Sequence, residues 1–380
     1  MSHDPYAKSV NELVCIDLPN GPAFVDRLKQ AWDEGDAVFP LDQRLPATAK
    51  EKLINAVSPT IIVSPNNEAQ LSGTHVEPGD ALVVATSGST GNPKAVVLTM
   101  NAVIASAEAT SNRLQVSGDD AWLACLPPSH VGGLSVITRS LVMGNRVIAV
   151  PLFSESSYIE ASNNGATMVS LVATALQRVD ASLYRTIVLG GARPPVDRPS
   201  NSVTTYGMTE TGSGVVYDGI PLDNVEIEIR DSVIFIKCPM MFRCYRDGIT
   251  PLDSDGWFRT GDRGSLSPTG VLTVEGREGD LIITGGENVW PEMVEDAIIT
   301  HARIQEVCVG GVPDPTWGHS VHAWIVTSAG SDISLDDVRG HVKETLPAYC
   351  APQHIHIVES IPRTAIGKPQ RASLVASLTQ

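Results

Sequence analysis

Short apolar segments alternate with helical ones between residues 60 and 190 of this 380-residue chain. The apolar segments read TIIVS, ALVVAT, AWLACL, RVIAVPLF, TMVSLV and RTIVLGG, and helical patterns such as NAVIASAEATSNRL lie between them. Regular alternation of strands and helices is typical of an α/β fold with a largely parallel sheet. The sequence therefore predicts a large N-terminal α/β domain.

The pattern changes after about residue 215. VEIEIR, SVIFIKC and VLTVEGR are short β-rich segments separated by Gly, Asp and Pro, and they predict an added antiparallel β region. Further on, Pro291 suits the first turn of a helix, and Ser334 with Asp337 resembles a capping box. Together with the strand-like segments HSVHAWIVT and HIHIVES, these features predict a small C-terminal α+β domain.

Charge and cysteine content exclude several functions. The chain has 43 acidic and 27 basic side chains, a net charge of −16 and no cluster of Lys and Arg, so we expect no nucleic-acid partner. Its six cysteines include no C-x-x-C pair and suit neither a zinc site nor a disulfide framework. Because no signal-peptide pattern and no apolar run of about 18 residues is found, we expect a cytoplasmic protein without membrane insertion.

One loop between apolar segments combines glycines, hydroxyls and a lysine: residues 85–95 read ATSGSTGNPKA. Glycines let backbone N–H groups turn inward, hydroxyls add donors and Lys94 adds positive charge, a combination that suits a bound anion. The segment is not a P-loop, because no Ser or Thr follows Lys94. It predicts a site for nucleotide phosphates, and an ordinary turn of Gly and Ser is the alternative.

Two later segments carry candidate ligands for a nucleotide. In TTYGMTETGSG, Tyr206 offers a ring for stacking, and Thr209 places a hydroxyl beside the carboxylate of Glu210. A carboxylate near phosphates is repulsive unless Mg²⁺ lies between them. In DGWFRTGDRG, Asp262 is able to accept hydrogen bonds from ribose hydroxyls. Taken alone, Glu210 is better explained as a solvated glutamate in a loop, and Asp262 as an ordinary turn residue.

Two final segments complete the set of polar motifs. Arg277 ends a strand-like segment in VEGREGDLIITGGENVWPEMVE, where the glycine pair Gly285–Gly286 precedes a predicted helix. Lys368 lies in the loop IPRTAIGKPQR near the end of the chain.

Together and in this order, the five segments resemble those of the adenylate-forming superfamily, which contains acyl-CoA synthetases, firefly luciferase and the adenylation domains of peptide synthetases. TSGSTGNPK is similar to the phosphate loop of that superfamily, and YGMTET is similar to its adenine and magnesium motif. WFRTGD, the GR…GGENVWP segment and the final T-x-x-GK complete the resemblance.

Within the superfamily, LPPSHVGGLSVITRSLVMG, YGMTETGSGVVYDGIPLD and LIITGGENVWP resemble the o-succinylbenzoate–CoA ligases of menaquinone biosynthesis, in their compact actinobacterial form. Three positions depart from the usual pattern: Ala95 replaces a glycine, Pro369 follows the terminal lysine, and Gly279 stands at the hinge. None of the three removes a chemical group that the reaction needs.

The resemblance implies an AMP-forming acid–thiol ligase that uses ATP, Mg²⁺ and CoA. In the first step a substrate carboxylate attacks the α-phosphate of ATP, which releases pyrophosphate and leaves an acyl-adenylate. In the second step the thiol of CoA attacks the acyl carbon and AMP leaves. Fixed positive groups around the α-phosphate should dominate catalysis of the first step.

The resemblance also assigns roles to individual residues. The catalytic residues are Lys368, Lys94 and Glu210. The ATP-binding residues are Thr86, Ser87, Gly88, Ser89, Thr90, Gly91, Lys94, Gly191, Ala192, Tyr206, Gly207, Thr209, Asp262, Arg277 and Lys368. Glu210, helped by Thr209, would bind Mg²⁺. The acyl substrate would contact His130, Arg139 and Gly207.

The resemblance further implies two domains. Residues 1–278 would form the ATP- and acyl-binding domain, with a shortened N-terminal subdomain. Residues 279–380 would form a mobile domain that carries Lys368 and rotates about Gly279, since glycine permits large changes of φ and ψ. The loop at Gly285 and Gly286 would then help to form the CoA tunnel.

One arginine bears on the choice of substrate. o-Succinylbenzoate carries two carboxylates, and burying the one that does not react needs a cation. Arg139 interrupts the apolar run of the predicted helix in HVGGLSVITRS, so we predict that it binds this carboxylate. The alternative is an arginine that extends to solvent from the helix end. The resemblance implies that His130 lies at the mouth of the pocket.

Several alternatives stay open. The substrate could be another carboxylic acid, fatty or aromatic, and the thiol could belong to a carrier protein. A non-catalytic nucleotide-binding homologue is also conceivable, although binding alone does not require Lys368. The sequence does not decide between a monomer and a homodimer. His319 with His322, and His354 with His356, suggest a metal, but they lie in strand-like segments without further residues at ligand spacing.

Overall fold

The computed structural model describes residues 10–86, 94–191, 197–328, 331–364 and 369–378. Packing divides the chain into two compact units. The first unit contains the chain up to Glu226 together with Lys237–Phe258, and the second contains Ile227–Ile236 together with the chain from Arg259 onward. The predicted boundary at Gly279 concerns the segment of the chain that moves, and it stays a prediction.

The first sheet of the first unit is mixed. Its strands are β1 (Leu13–Ile16), β2 (Ala37–Pro40), β3 (Ile61–Ser64), β4 (Asn67–Gln70), β5 (Asp80–Thr86), β6 (Lys94–Thr99) and β16 (Cys244–Tyr245). They lie in the order β16-β6-β5-β2-β1-β3-β4. The inner pairs β1–β2, β1–β3 and β2–β5 are parallel, whereas β4, β6 and β16 pair in antiparallel fashion with their neighbours.

The second sheet is parallel over most of its width. Its strands are β7 (Ala121–Ala124), β8 (Arg146–Ala149), β9 (Met168–Leu171), β10 (Thr186–Leu189), β11 (Ser202–Gly207), β12 (Gly214–Tyr217) and β13 (Ile220–Pro221). The order is β13-β12-β11-β10-β9-β7-β8. The pairs from β11 to β8 are parallel, whereas β12 is antiparallel to both β11 and β13. The predicted alternation of parallel strands and helices is confirmed here.

The helices of the first unit include the two predicted in NAVIASAEATSNRL and HVGGLSVITRS. The helices of this unit are α1 (Pro22–Asp33), α2 (Ala47–Val57), α3 (Met100–Leu114), α4 (Val131–Met143), α5 (Glu155–Asn163) and α6 (Ala173–Leu176). The Thr99 hydroxyl caps α3 by accepting a hydrogen bond from the backbone N–H of Ala102, and Gly144 ends α4 at a positive φ of 72°. Helix α4 packs on α3 and β7, with Leu134 and Ile137 buried.

The second unit contains two smaller sheets. The first has the order β14 (Glu226–Arg230), β15 (Val233–Lys237), β17 (Phe258–Leu266) and β18 (Leu272–Arg277). β17 pairs with β18 in antiparallel fashion, so Asp262 lies in a strand and not in the turn that its glycine-rich segment predicts. The second has the order β20 (Glu287–Val289), β19 (Ile282–Thr284), β22 (Gly318–Thr327) and β21 (Ile304–Asp314), with β23 (His354–Ile357) also paired to β22.

Helices α7 (Pro291–Ile299), α8 (Leu335–Lys343) and α9 (Arg371–Ala376) belong to the second unit, and the core of β19–β23 lies against α7 and α8. Pro291 opens α7, and Ser334 forms the predicted capping box of α8 with Asp337. The predicted fold class is confirmed: a large α/β region, an added β region and a small α+β region. In the described residues no helix has both the length and the apolar character needed to cross a membrane.

Candidate active site

Lys94 and Glu210 lie near each other in the first unit, joined by a tyrosine that the sequence motifs did not include. Lys94 begins β6 opposite Thr86 of β5, and its Nζ lies 4.9 Å from the ring centre of Tyr245. The hydroxyl of Tyr245 donates a hydrogen bond of 2.9 Å to Oε1 of Glu210. The neighbouring Thr209 lies in the same short helical turn as Glu210. The fold therefore brings a lysine, a tyrosine hydroxyl and a carboxylate to one place, with Thr209 next to that carboxylate in the chain, which suits a metal-bound triphosphate.

The end of β11 presents Tyr206 and Gly207. A Cβ at residue 207 would lie 2.2 Å from the carbonyl oxygen of Ser213, so only glycine fits at this position. The register of β11 with β12 shifts between Tyr206 and Gly207, which places the two residues at a local irregularity of the sheet. Gly191, another predicted adenine contact, follows β10 and has a positive φ of 82°.

Arg139 is buried inside the first unit. It is 3% exposed, so the alternative in which it extends to solvent is wrong. Its Nη2 lies 3.4 Å from the Ser213 hydroxyl, and its Cζ lies 4.8 Å from the ring centre of Trp122. Its Nε and Nη1 are buried without a hydrogen-bond partner in the described residues. Burial lowers the pKa of Arg139, and Tyr217 opposes that shift.

A narrow cavity of about 10 Å³ lies beside the Arg139 side chain. Apolar and hydroxyl side chains from β5, β6, α3 and α4 line it, among them Leu98, Leu134, Ser135 and Thr138. A cavity of this size holds about one water molecule, so an anionic group would enter it only if the lining side chains moved. The two unsatisfied nitrogens of the guanidinium favour such a group, because a buried donor without a partner costs about 1–3 kcal/mol or more. The carboxylate-binding role of Arg139 stays a prediction.

His130 precedes α4 and contacts two charged residues that the sequence analysis missed. Nη2 of Arg44 lies 3.1 Å from Nε2 of His130, and Oδ2 of Asp42 lies 3.7 Å from the same nitrogen. Burial and the charge of Arg44 lower the pKa of His130, whereas Asp42 acts in the opposite direction. Asp42 and Arg44 lie between β2 and α2, far along the chain from His130, so no motif could have linked them.

In the second unit, the fold brings Asp262 and Arg277 together as predicted. They are opposite each other in the β17–β18 register, with 3.4 Å between Nε of Arg277 and Oδ1 of Asp262. The backbone N–H of Asp262 donates to the Thr260 hydroxyl, which holds the backbone at this point of β17. An arginine and a carboxylate side by side suit the hydroxyls of a ribose. This role also stays a prediction.

The predicted hinge and CoA glycines differ in their conformations. Gly279 has no positive φ, and a Cβ there would meet no atom within 4 Å, so the observed conformation does not by itself require glycine. Gly285 and Gly286 have φ values of 59° and 87° and form the turn between β19 and β20. Their glycine identity is thus explained by a tight hairpin, and their contact with CoA stays a prediction.

Several predicted residues lie outside the described residues: Ser87, Gly88, Ser89, Thr90, Gly91, Ala192 and Lys368. Their assigned roles stay predictions. No group of three or more metal-ligating side chains is found in the ranges that the structure describes. His322 and His356 instead hydrogen-bond each other across β22 and β23, with 2.9 Å between Nδ1 and Nε2.

Comparison with known families gives matches in both halves of the chain. Residues 65–234 match the AMP-binding enzyme family, and residues 293–368 match the AMP-binding enzyme C-terminal domain. A Mycobacterium tuberculosis H37Rv protein named "Probable 2-succinylbenzoate--CoA ligase" is 35% identical over 359 residues, which are 86% of this chain and 93% of that protein. The chain belongs to the AMP-binding enzyme family. The resemblance to adenylate-forming enzymes is thereby confirmed.

Other relatives of this AMP-binding enzyme carry similar names. The 2-succinylbenzoate–CoA ligase of Bacillus cereus Q1 is 32% identical over 77% of this chain and 69% of its own length. The solved structure of o-succinylbenzoate CoA synthetase (MenE) from Bacillus subtilis in complex with the acyl-adenylate intermediate OSB-AMP has a TM-score of 0.84 and 26% identity. It covers 96% of this chain and 88% of its own. The same protein with ATP and magnesium ion has a TM-score of 0.82, also at 26% identity, and covers 97% of this chain and 89% of its own.

The match to the AMP-binding enzyme family leaves two site residues outside it. The N-terminal match begins at residue 65, so His130 and Arg139 lie inside it, whereas Asp42 and Arg44 lie before it. Lys368 is the last residue of the C-terminal match.

Proposed function

We propose that this AMP-binding enzyme is an AMP-forming ligase that joins o-succinylbenzoate to CoA, as a cytoplasmic step of menaquinone biosynthesis. The names of the relatives from Mycobacterium and Bacillus support the reaction, and the complex of the Bacillus subtilis structure with OSB-AMP supports the intermediate. The observation that carries the substrate assignment is the buried guanidinium of Arg139 beside a cavity. A substrate with a second carboxylate would supply the anion that this cation lacks.

In the proposed reaction, one carboxylate oxygen of the acid attacks the α-phosphorus of ATP while the bond to pyrophosphate breaks. Lys94 holds the β- and γ-phosphates by its charge. Glu210 and Thr209 would hold Mg²⁺, which neutralises phosphate charge when bound. The Tyr245 hydroxyl, by donating to Oε1 of Glu210, orients that carboxylate.

In the second step, the thiol of CoA loses its proton to solvent and its sulfur bonds to the acyl carbon, while the bond from that carbon to the AMP oxygen breaks and AMP leaves with the electron pair. Lys368 assists the first step and leaves before the second, when residues 279–380 rotate about the hinge at Gly279. The loop at Gly285 and Gly286 then lines the path of CoA. Asp262 and Arg277 hold the ribose of the nucleotide during both steps.

The test is an ATP- and CoA-dependent thioester assay on a panel of acids: o-succinylbenzoate, fatty acids and aromatic monocarboxylic acids. We expect AMP, pyrophosphate and a thioester to form with o-succinylbenzoate at the highest kcat/KM of the panel. Activity with a fatty acid and none with o-succinylbenzoate would contradict the substrate assignment but not the proposed AMP-forming ligase reaction. No adenylate with any acid would favour the non-catalytic nucleotide-binding alternative.

A further inference from the structure

Asp42, Arg44 and His130 form a connected cluster in the first unit. Nε of Arg44 donates to Oδ1 of Asp42 at 2.8 Å, and its Nη2 donates to Oδ2 at 2.6 Å. The same Nη2 lies 3.1 Å from Nε2 of His130, so its two hydrogens have one acceptor each. The backbone N–H of Arg44 also donates to Asp42, at 3.0 Å. Arg44 is thus held from two sides.

The cluster restricts the protonation of His130. A guanidinium has no acceptor atom, so Nε2 of His130 must accept, and the ring proton of the neutral side chain is then on Nδ1. Protonation of Nε2 would place two donors 3.1 Å apart. The carboxylate of Asp42 is 3.7 Å from Nε2 and already accepts from Arg44, so it offers little compensation.

The other ring nitrogen of His130 is left for a ligand. Nδ1 makes no hydrogen bond to any residue that the structure describes, and His130 is only partly exposed, at 30% of its side chain. Its charged neighbours in the structure are Arg44 and Asp42, from the segment between β2 and α2. A neutral histidine with a fixed Nδ1–H is therefore a directed hydrogen-bond donor.

We propose that Arg44 is a positioning residue for the acyl substrate: it holds His130 as the Nδ1–H tautomer, which donates to an oxygen of the bound acid, while Asp42 holds Arg44. This inference rests on the proposed function, because the place of His130 at the acyl pocket comes from the resemblance. Asp42 and Arg44 lie before the segment that matches the AMP-binding family, so the family match does not assign them.

The first experiment needs no substrate. The tautomer and pKa of His130 are measured by NMR on protein with ¹⁵N-labelled histidine, with His130→Gln used to assign the signals. We expect the Nδ1–H tautomer in the unmodified protein and in Arg44→Lys, whose ammonium is also a donor. In Arg44→Met the pKa of His130 should rise by about 1 unit, because a neighbouring positive charge is removed, and the tautomers should mix.

The second experiment measures kcat/KM for the acid against pH. If neutral His130 is needed, Arg44→Met moves the acid limb to higher pH by about 1 unit and lowers the plateau about 10- to 100-fold, whereas Arg44→Lys recovers most of it. KM for ATP should not change. Arg178→Met, which removes an exposed ion pair with Glu155 in the same unit, is the matched control and should behave as the unmodified enzyme.

Two results would overturn the proposal. One is an unchanged tautomer and pKa of His130 in Arg44→Met. The other is a changed tautomer with an unchanged pH profile for the acid. If o-succinylbenzoate is not a substrate, the NMR experiment still shows whether Arg44 sets the tautomer of His130. The kinetic experiment is then carried out with the acid that the enzyme does activate. Failure of the proposed function and failure of this inference are therefore distinguishable.

Discussion

Arg371 of the second unit and Arg139 of the first unit are both largely shielded from solvent, but their surroundings are opposite. Arg371 begins α9 in the second unit, and its side chain is 16% exposed. It forms ion pairs with Asp280, Glu292 and Glu295, the last two at 3.1 and 3.0 Å. Burial opposes its charge, yet the carboxylates of Glu295, Glu292 and Asp280 raise the pKa of Arg371 above its usual range.

Arg139 of the first unit is buried more deeply and has no carboxylate partner in the described residues. Its contacts are the ring of Trp122 and the hydroxyl of Ser213, and burial lowers its pKa. Burying a charge is costly unless a partner and hydrogen bonds compensate for it. Arg371 therefore has its counter-ions inside the fold, whereas the environment of Arg139 suits a counter-ion that belongs to a bound ligand.

The largest expected effect is on stability. Arg371→Met would leave three carboxylates close together and partly buried, so the free energy of unfolding of the second unit should fall by about 3–5 kcal/mol. Hydrogen exchange of peptides from β21 and α7, followed in increasing urea, measures this loss. Arg303→Met, which removes the exposed pair with Asp337, is the control and should cost at most about 1 kcal/mol. Equal losses in both variants would contradict the comparison.

A smaller effect concerns pH and His322, a buried polar residue of the second unit. Burial, followed by the charges of His354 and His356, lowers the pKa of His322 to about 4. The folded state therefore binds fewer protons than the unfolded state between about pH 4 and 6.5, and stability should fall as the pH drops through that window. We expect a loss of about 1–3 kcal/mol between pH 7 and 4.

The control for the pH effect is His322→Gln, which keeps a polar side chain without a titrating group. Its stability should depend less steeply on pH than that of the unmodified protein, as measured by urea unfolding at a series of pH values. Parallel curves for the two proteins would mean that other groups cause the pH dependence.

The smallest effect is expected for Arg139 itself in the absence of substrate. Arg139→Met removes a buried charge without a carboxylate partner in the described residues, so the stability of the first unit should stay the same or rise by up to about 2 kcal/mol. Thermal unfolding and hydrogen exchange of α4 peptides measure it. A loss as large as that of Arg371→Met would make Arg139 a structural residue and remove the basis of the comparison.

Local patterns in the sequence are sufficient for the elements that have a clear apolar period or a cap. Ser334 was recognised as a helix cap because its partner Asp337 is three residues away, and the apolar run before residue 144 became α4. Asp262 and Arg277 were identified by motif, and the antiparallel pairing of β17 and β18 brings them together. In each case the determining interaction is local or lies within one hairpin.

Contacts between distant segments could not be predicted in this way. Arg44 and His130 are 86 residues apart, and Tyr245 and Glu210 are 35 apart, so only the tertiary fold brings them together. The sequence also left two orientations for Arg139, because an arginine in an apolar helix is compatible with both solvent and interior. In the structure, the packing of α4 on β7 places the Arg139 side chain in the interior.

The most direct test of the central claim compares two enzymes with two substrates. The unmodified protein and Arg139→Met are assayed with o-succinylbenzoate and with its analogues that lack one of the two carboxylates. The analogue that the enzyme still activates serves as the second substrate. If Arg139 binds the second carboxylate, the substitution should cost about 2–4 kcal/mol with the diacid, about 30- to 900-fold in kcat/KM, and much less with the analogue. Equal losses with both substrates would contradict the account.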